Sequence, residues 1–151
     1  NVEVLGVALS DKSGTVGFSA RAVEASHFPG PDSPGFGRGT ITFASSDIEV
    51  QTDRGDGLVQ RGSIPEPNMV KIDVEGAEPL VIDGLREALA ETSCRKVYCE
   101  VHRPKIGRGS IDDFGASESD MFRRFEELGF DEIQIRSESE ASFVMIAKRH
   151  S

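Results

Sequence analysis

Asp73, Glu75, Glu100 and His102 are the residues of this chain whose types and spacing suit proton transfer. Residues 69–74 (Met-Val-Lys-Ile-Asp-Val) and 96–102 (Lys-Val-Tyr-Cys-Glu-Val-His) are short, largely apolar runs that read as strands. Asp73 and Glu75 end the first, and Glu100 and His102 end the second. Side chains repeat every two residues along a strand, so each pair shares a face if its strand persists. Parallel neighbours lie about 4.8 Å apart, which brings three carboxylates and an imidazole within a few side-chain lengths. Such a group can take a proton from a hydroxyl, orient it, or face a cation. His102 is the best base, because only imidazole titrates near neutrality without tuning; Asp73 and Glu100 are the runners-up. Each of these two acids interrupts or ends an apolar strand, where an unpaired buried charge costs several kcal/mol, so each requires a partner, a ligand or water. Glu75 and Glu78 also fall at a helix start, where a carboxylate gains about 0.3 to 1 kcal/mol. For Glu78 that is the favoured account. The carboxylates could hold a divalent ion, as octahedral oxygen sites do, but the spacing does not demand one and no metal is assigned.

The elements that must position these groups follow from periodicity and turn chemistry. The turn 75–79 leads into a helix with Pro79 in its first turn. Val81, Ile82, Leu85, Ala88 and Leu89 fall on one face of it, and Asp83, Arg86, Glu87 and Glu91 on the other. Strand, helix and the strand at 96–102 make a βαβ unit with parallel neighbours. Upstream, residues 2–9 read as a buried strand, 10–14 as a turn and 15–20 as a second strand hairpin-paired with the first. Residues 40–43 and 48–52 read as further strands, and 53–66 as loop or short helix. Residues 26–39 hold most of the prolines, so 21–39 is expected to be a flexible surface loop. Downstream, Ser117-Glu118-Ser119-Asp120 is a capping box opening a helix that carries Met121, Phe122, Phe125 and Leu128 inward and stops at Gly129. Residues 130–136 and 143–148 form an antiparallel hairpin. Phe and Met on these last elements are core.

Composition narrows the function. At 151 residues, 37% hydrophobic and 28% charged, the chain fits one globular domain over 1–151 and not two. A formal net charge of −9 repels phosphate backbones and anionic lipid, so neither nucleic acid nor a membrane is expected as partner. The same acidity suits either a salt-adapted or a merely acidic protein, which thermal stability across a molar salt titration would separate. The opening residues lack the basic-then-apolar layout of a signal peptide and no apolar run approaches about 18 residues, so a cytoplasmic location is expected. Cys94 and Cys99 fit no zinc spacing and read as buried thiols.

The run Val70-Lys71-Ile72-Asp73-Val74-Glu75-Gly76-Ala77-Glu78, followed by Gly84 and then by Glu100-Val101-His102, and preceded by Val7-Ala8-Leu9-Ser10-Asp11-Lys12-Ser13-Gly14, closely resembles the FkbM family of S-adenosylmethionine-dependent methyltransferases. The likeness runs from the first residues to about 102. It implies an α/β, class I methyltransferase (Rossmann-like) fold: a mostly parallel sheet in the order 3-2-1-4-5-7-6, ending in an antiparallel hairpin. Asp73 would end the fourth strand and His102 the fifth. The resemblance further implies S-adenosyl-L-methionine as cofactor and methyl transfer to a small-molecule hydroxyl acceptor, a sugar or secondary metabolite. Leu9, Ser10 and Asp11 would then lie near the adenine.

Members of that family begin with a strand, a glycine-rich loop, a helix and a second strand ending in an acid, and these two β-α units are absent from the chain. Gly35-Phe36-Gly37-Arg38-Gly39 matches G-x-G-x-G by letter, but no strand precedes it and no helix follows, so it reads as turn glycine. The chain therefore reads as the carboxyl-terminal part of a longer enzyme. An open apolar sheet edge around Ile72 and Val74 is then expected to favour self-association. Two further readings stay open: a non-catalytic, truncated relative that binds a partner, and a paired-carboxylate glycosidase acting without cofactor. Arg103 and Lys105, just past His102, could attract an acidic substrate.

Overall fold

The computed structural model describes residues 2–20, 39–42, 48–104 and 109–150. Most of the expected loop at 21–39, Gly35 to Arg38 included, lies outside them. Its last residue, Gly39, is not turn glycine: it opens a strand.

Two four-stranded sheets carry the fold. The first contains β1 (Ala8–Leu9), β2 (Gly14–Ala20), β3 (Gly39–Thr42) and β4 (Ile48–Asp53), in the order β1-β4-β2-β3. The expected hairpin of the first two strands does not form. β4 lies between them, pairing parallel with β1 (Ala8 opposite Thr52) and antiparallel with β2 (Gly14 opposite Thr52). Both edges of β4 are thus occupied at Thr52, and the intervening corner is tied to Asp53, whose carbonyl accepts from Ser10 N and whose carboxylate accepts from Ser13 Oγ. The buried strand expected over 2–9 shrinks to two residues, with Val2 and Val4 exposed. A β-branched run makes a strand only where a neighbour completes its ladder, and no described strand pairs with residues 2–7.

The second sheet positions the acids. β5 (Met69–Ile72), β6 (Lys96–His102), β7 (Glu132–Glu138) and β8 (Ser142–Lys148) run in the order β5-β6-β8-β7. β5 and β6 are parallel, as the βαβ reading requires, and β8 pairs antiparallel with both β6 and β7. Only two of the six pairings among the described strands are parallel, β1 with β4 and β5 with β6, so the sheets are mixed and not mostly parallel. β1 and β5 belong to different sheets, so β5 is an edge among the described strands; Met69 is 59% exposed there, but Ile72, around which an open apolar edge is expected, is 1% exposed, so the apolar edge is not open at that residue.

The single helix expected after β5 is two: α2 (Glu78–Gly84) and α3 (Arg86–Ala90), interrupted at Leu85. The break coincides with a close approach. A Cβ on Gly84 would stand 1.9 Å from the Ser10 carbonyl oxygen, so only glycine lets the corner after β1 dock there. The apolar face survives the break, with Val81, Ile82, Leu85, Ala88 and Leu89 all buried. A short helix, α1 (Gly55–Gln60), falls in the stretch expected as loop or short helix and docks on α3 through Asp56, which accepts from Ala88 N at 3.0 Å.

After a 3-10 turn (Ile111–Phe114), α4 (Glu118–Glu127) opens on the expected capping box at Ser117 and Asp120 and stops at Gly129, φ 85°. Alternate residues of β6 (Val97, Cys99, Val101) and β8 (Phe143, Met145, Ala147) bury one sheet face with Ile82, Leu89, Met121 and Phe125. Both cysteines are buried free thiols, their pKa values raised first by burial. Among the described residues, no helix is long and apolar enough to cross a membrane.

Candidate active site

The carboxyl ends of β5 and β6 bring the four expected groups together. His102 Nε2 faces Glu75 Oε2 at 3.6 Å and Glu100 Oε1 at 3.8 Å. One donor atom each from Asp73, Glu75 and His102 lies within 4.8 Å of the other two. Glu100 and His102 share a face as strand alternation requires. The other pair arrives differently, because β5 ends at Ile72 and the chain turns at once. Glu75 adopts φ 50°, a left-handed conformation rare for a residue with a side chain, and Gly76 follows at φ 107°. A Cβ on Gly76 would sit 2.4 Å from Ser110 N, so the turn is clamped against the 109–110 backbone. Backbone strain held in this way marks a turn whose geometry the surroundings over-determine.

The acids differ in their partners. Asp73 is exposed and ion-paired to Lys71 Nζ at 2.6 Å, and Glu100 accepts from Ser142 Oγ at 2.9 Å. Both acids have partners, but neither side chain is fully buried, so the cost of an unpaired buried charge does not apply to them in full. Arg103 is not free to attract an acidic substrate: its guanidinium donates to Glu118, Glu138 and the Ser139 carbonyl and lies over the Phe143 ring. Lys105 lies outside the described residues.

Glu78 is the residue that sequence reasoning undervalued. It is fully buried, and its Oε1 accepts from Gly76 N at 3.0 Å and Val74 N at 3.4 Å. With Glu78 as a carboxylate, His102 Nδ1–H is the donor of the 2.8 Å bond between the two side chains, which leaves Nε2 turned toward Glu75 and Glu100. The carboxylate therefore closes the turn and fixes the imidazole, a larger task than favouring a helix start. A signal was present in the sequence: 78 precedes 81, 82, 85 and 89 at helical spacing, which puts Glu78 on the buried face. Its Oε2 is buried with no hydrogen-bond partner.

Electrostatics follow from this packing. Burial alone would lower the His102 pKa, but the hydrogen bond and charge of Glu78, with the charges of Glu75 and Glu100, outweigh it, and the net shift is upward. The imidazole is held ready for a proton. The Cys99 thiol is pushed well up, by burial first and then by Glu78, Asp73 and Glu100.

Leu9, Ser10 and Asp11 lie elsewhere. Ser10 is buried against Gly84, at the far end of α2 from Glu78 and about 9 Å along it at 1.5 Å per residue. Its hydroxyl donates to Asp11 Oδ1 at 3.1 Å, and Arg54 donates to the Asp11 carbonyl.

Comparison with known proteins bears on the whole arrangement. The methyltransferase FkbM domain matches residues 3–132. The hexuronic acid methyltransferase AglP of Haloferax volcanii is 34% identical over 94 residues, which make up 62% of this chain and 34% of that protein. The match thus spans about a third of the length of that relative. No solved structure matches the chain. With the family match covering most of its residues, including all four strand-end groups, the chain belongs to the methyltransferase FkbM domain family.

Proposed function

We propose that the chain contributes the acceptor side of an S-adenosylmethionine-dependent methyltransferase acting on a hydroxyl of a sugar or secondary metabolite. A hexuronic acid is the first acceptor to test, by likeness to the relative so named. The strand order β5-β6-β8-β7 supports reading the second sheet as strands 4-5-7-6 of the class I fold. One observation carries the chemistry: an imidazole fixed by a buried carboxylate on one nitrogen, with acids around the other.

When bound, S-adenosylmethionine supplies an electrophilic methyl group on a cationic sulfonium. The donor set fits a cation, since Asp73, Glu75 and Glu100 surround Nε2 and a buried oxygen of Glu78 lacks a partner. Leu9, Ser10 and Asp11 are the residues of this chain assigned to the adenine side. An acceptor hydroxyl set against His102 would give its proton to Nε2, leaving its oxygen to take the methyl group that the cofactor would supply, with S-adenosylhomocysteine as the leaving group. Glu78 holds Nδ1–H throughout and stabilises the imidazolium. Holding the reactants in line supplies the largest share, several kcal/mol, and the base adds to it. Asp73 and Glu100 orient the hydroxyl and serve as the next proton acceptors.

Calorimetric titration of the chain with S-adenosylhomocysteine tests the reading. Micromolar binding, weakened by substitution at Asp11, supports it. Binding that needs upstream sequence assigns the cofactor to a larger protein. Absence of binding in both forms favours the partner-binding module over the enzyme.

A further inference from the structure

We propose that Asp73, Glu75 and His102 bind a divalent transition-metal ion, with Glu78 as the positioning residue that aims the imidazole at it. The inference concerns the site of the proposed reaction but does not need the reaction to occur.

Geometry argues first. The three donor atoms lie within 4.8 Å of one another. Around an ion with bonds near 2.1 Å, donors stand about 3 Å apart when adjacent and about 4.2 Å when opposite, so a small contraction completes the set. His102 is 3% exposed, and its Nε2 has Glu75 and Glu100 oxygens at 3.6 and 3.8 Å, both longer than an N–H···O hydrogen bond. A buried imidazole nitrogen aimed into carboxylates at those distances is placed as a ligand atom.

The backing of His102 argues next. Metal-bound histidines give their other N–H to a carboxylate, which fixes the tautomer and raises ligand basicity. Glu78 makes that bond at 2.8 Å and is itself held by two backbone N–H groups of the Asp73–Glu78 turn. Its second oxygen, buried and without a partner, leaves negative charge beside the cluster uncompensated. One nitrogen and two carboxylates suit manganese, iron or zinc better than magnesium, which prefers oxygen throughout. Only Lys71 competes for Asp73 among the described residues, and an exposed pair of this kind is weak. Asp73 is exposed, so the set meets solvent on that side.

Manganese titration of the chain, followed by the electron paramagnetic resonance of free Mn²⁺ with neither cofactor nor acceptor present, tests this. One Mn²⁺ per chain is expected, with Asp73→Asn weakening it about tenfold or more and Glu126→Gln leaving it unchanged. Asp73 is exposed, so its variant should fold, which circular dichroism checks. Lack of saturable binding at millimolar Mn²⁺, or equal affinity in Asp73→Asn, overturns the proposal. Binding without methyl transfer upholds the site and sinks only the reaction; methyl transfer by a chain that binds no Mn²⁺ does the reverse.

Discussion

His102 Nδ1 lies 2.8 Å from Glu78 Oε1, a bond that joins the last residue of β6 to the first residue of α2 with both side chains buried. It ties the start of the crossover helix to the end of the second strand of the βαβ unit, at the level of the acids. Glu78→Gln keeps the shape and removes the charge. We expect a loss of about 1 to 3 kcal/mol from a poorly satisfied buried amide, and a fall in the His102 pKa because a chief cause of its upward shift is gone. Urea denaturation and an NMR titration of the imidazole protons read the two effects; an unmoved pKa would deny the pairing its electrostatic role.

Gly84 and Gly6 make a matched pair for packing. A methyl at Gly84 meets the Ser10 carbonyl at 1.9 Å, backbone against backbone, whereas one at Gly6 meets nothing within 4 Å. Gly84→Ala should cost about 1 to 3 kcal/mol or more, and Gly6→Ala should stay within about 0.5 kcal/mol. Thermal melts of the two variants check this, and equal melting temperatures would mean that the corner after β1 does not rest on α2.

Arg149 closes the bottom of the second sheet. Its guanidinium donates to the carbonyls of Leu89, Glu91, Cys94, Leu128 and Gly129, and lies 4.5 Å from the Phe130 ring centroid. Arg149→Ala strands several part-buried acceptors, so a loss of about 3 kcal/mol is expected at roughly 1 kcal/mol per bond. Arg149→Lys should recover only a minor part, since an ammonium cannot reproduce the planar fork. Denaturation midpoints that match wild type in either variant would contradict the assignment.

Acid should destabilise the chain at identifiable carboxylates. Asp120 is held below its ordinary value by Ser117, Asp53 by Ser13 and Arg61, Asp131 by His150 and Glu132 by Lys148. A lowered folded-state pKa adds stability above the unfolded value and loses it as pH falls through the folded one. Melting temperature should therefore drop as pH falls below about 4, the ordinary carboxylate range. Ser117→Ala should flatten that dependence by releasing Asp120. A melting temperature flat from pH 5 to 2 would remove these groups from the account.

Much of the second half was legible because its signals are local. Alternating apolar residues mark β6 at its observed bounds, Lys96–His102, and a capping box with a terminal glycine marks α4. The strand-end acids stood out for the same reason, as charges closing apolar runs. In the first half the strands at 15–20, 40–43 and 48–52 were legible to within a residue, but their pairing was not. The corner 10–13 looks like a hairpin turn, yet β4, 39 residues on from Leu9 at its start, takes both neighbours, and local turn chemistry carries no record of which distant strand wins an edge.

By itself, then, the sequence determined which side chains lie at the ends of β5 and β6, because strand bounds and side-chain alternation are local properties of the chain. Only the tertiary structure decided that Glu78 fixes His102, that β4 lies between β1 and β2 and that Arg103 is spent on Glu118 and Glu138. Each of those outcomes depends on a partner far off in sequence. A carboxylate at a helix start has a use wherever it points, and packing alone selects the one it serves.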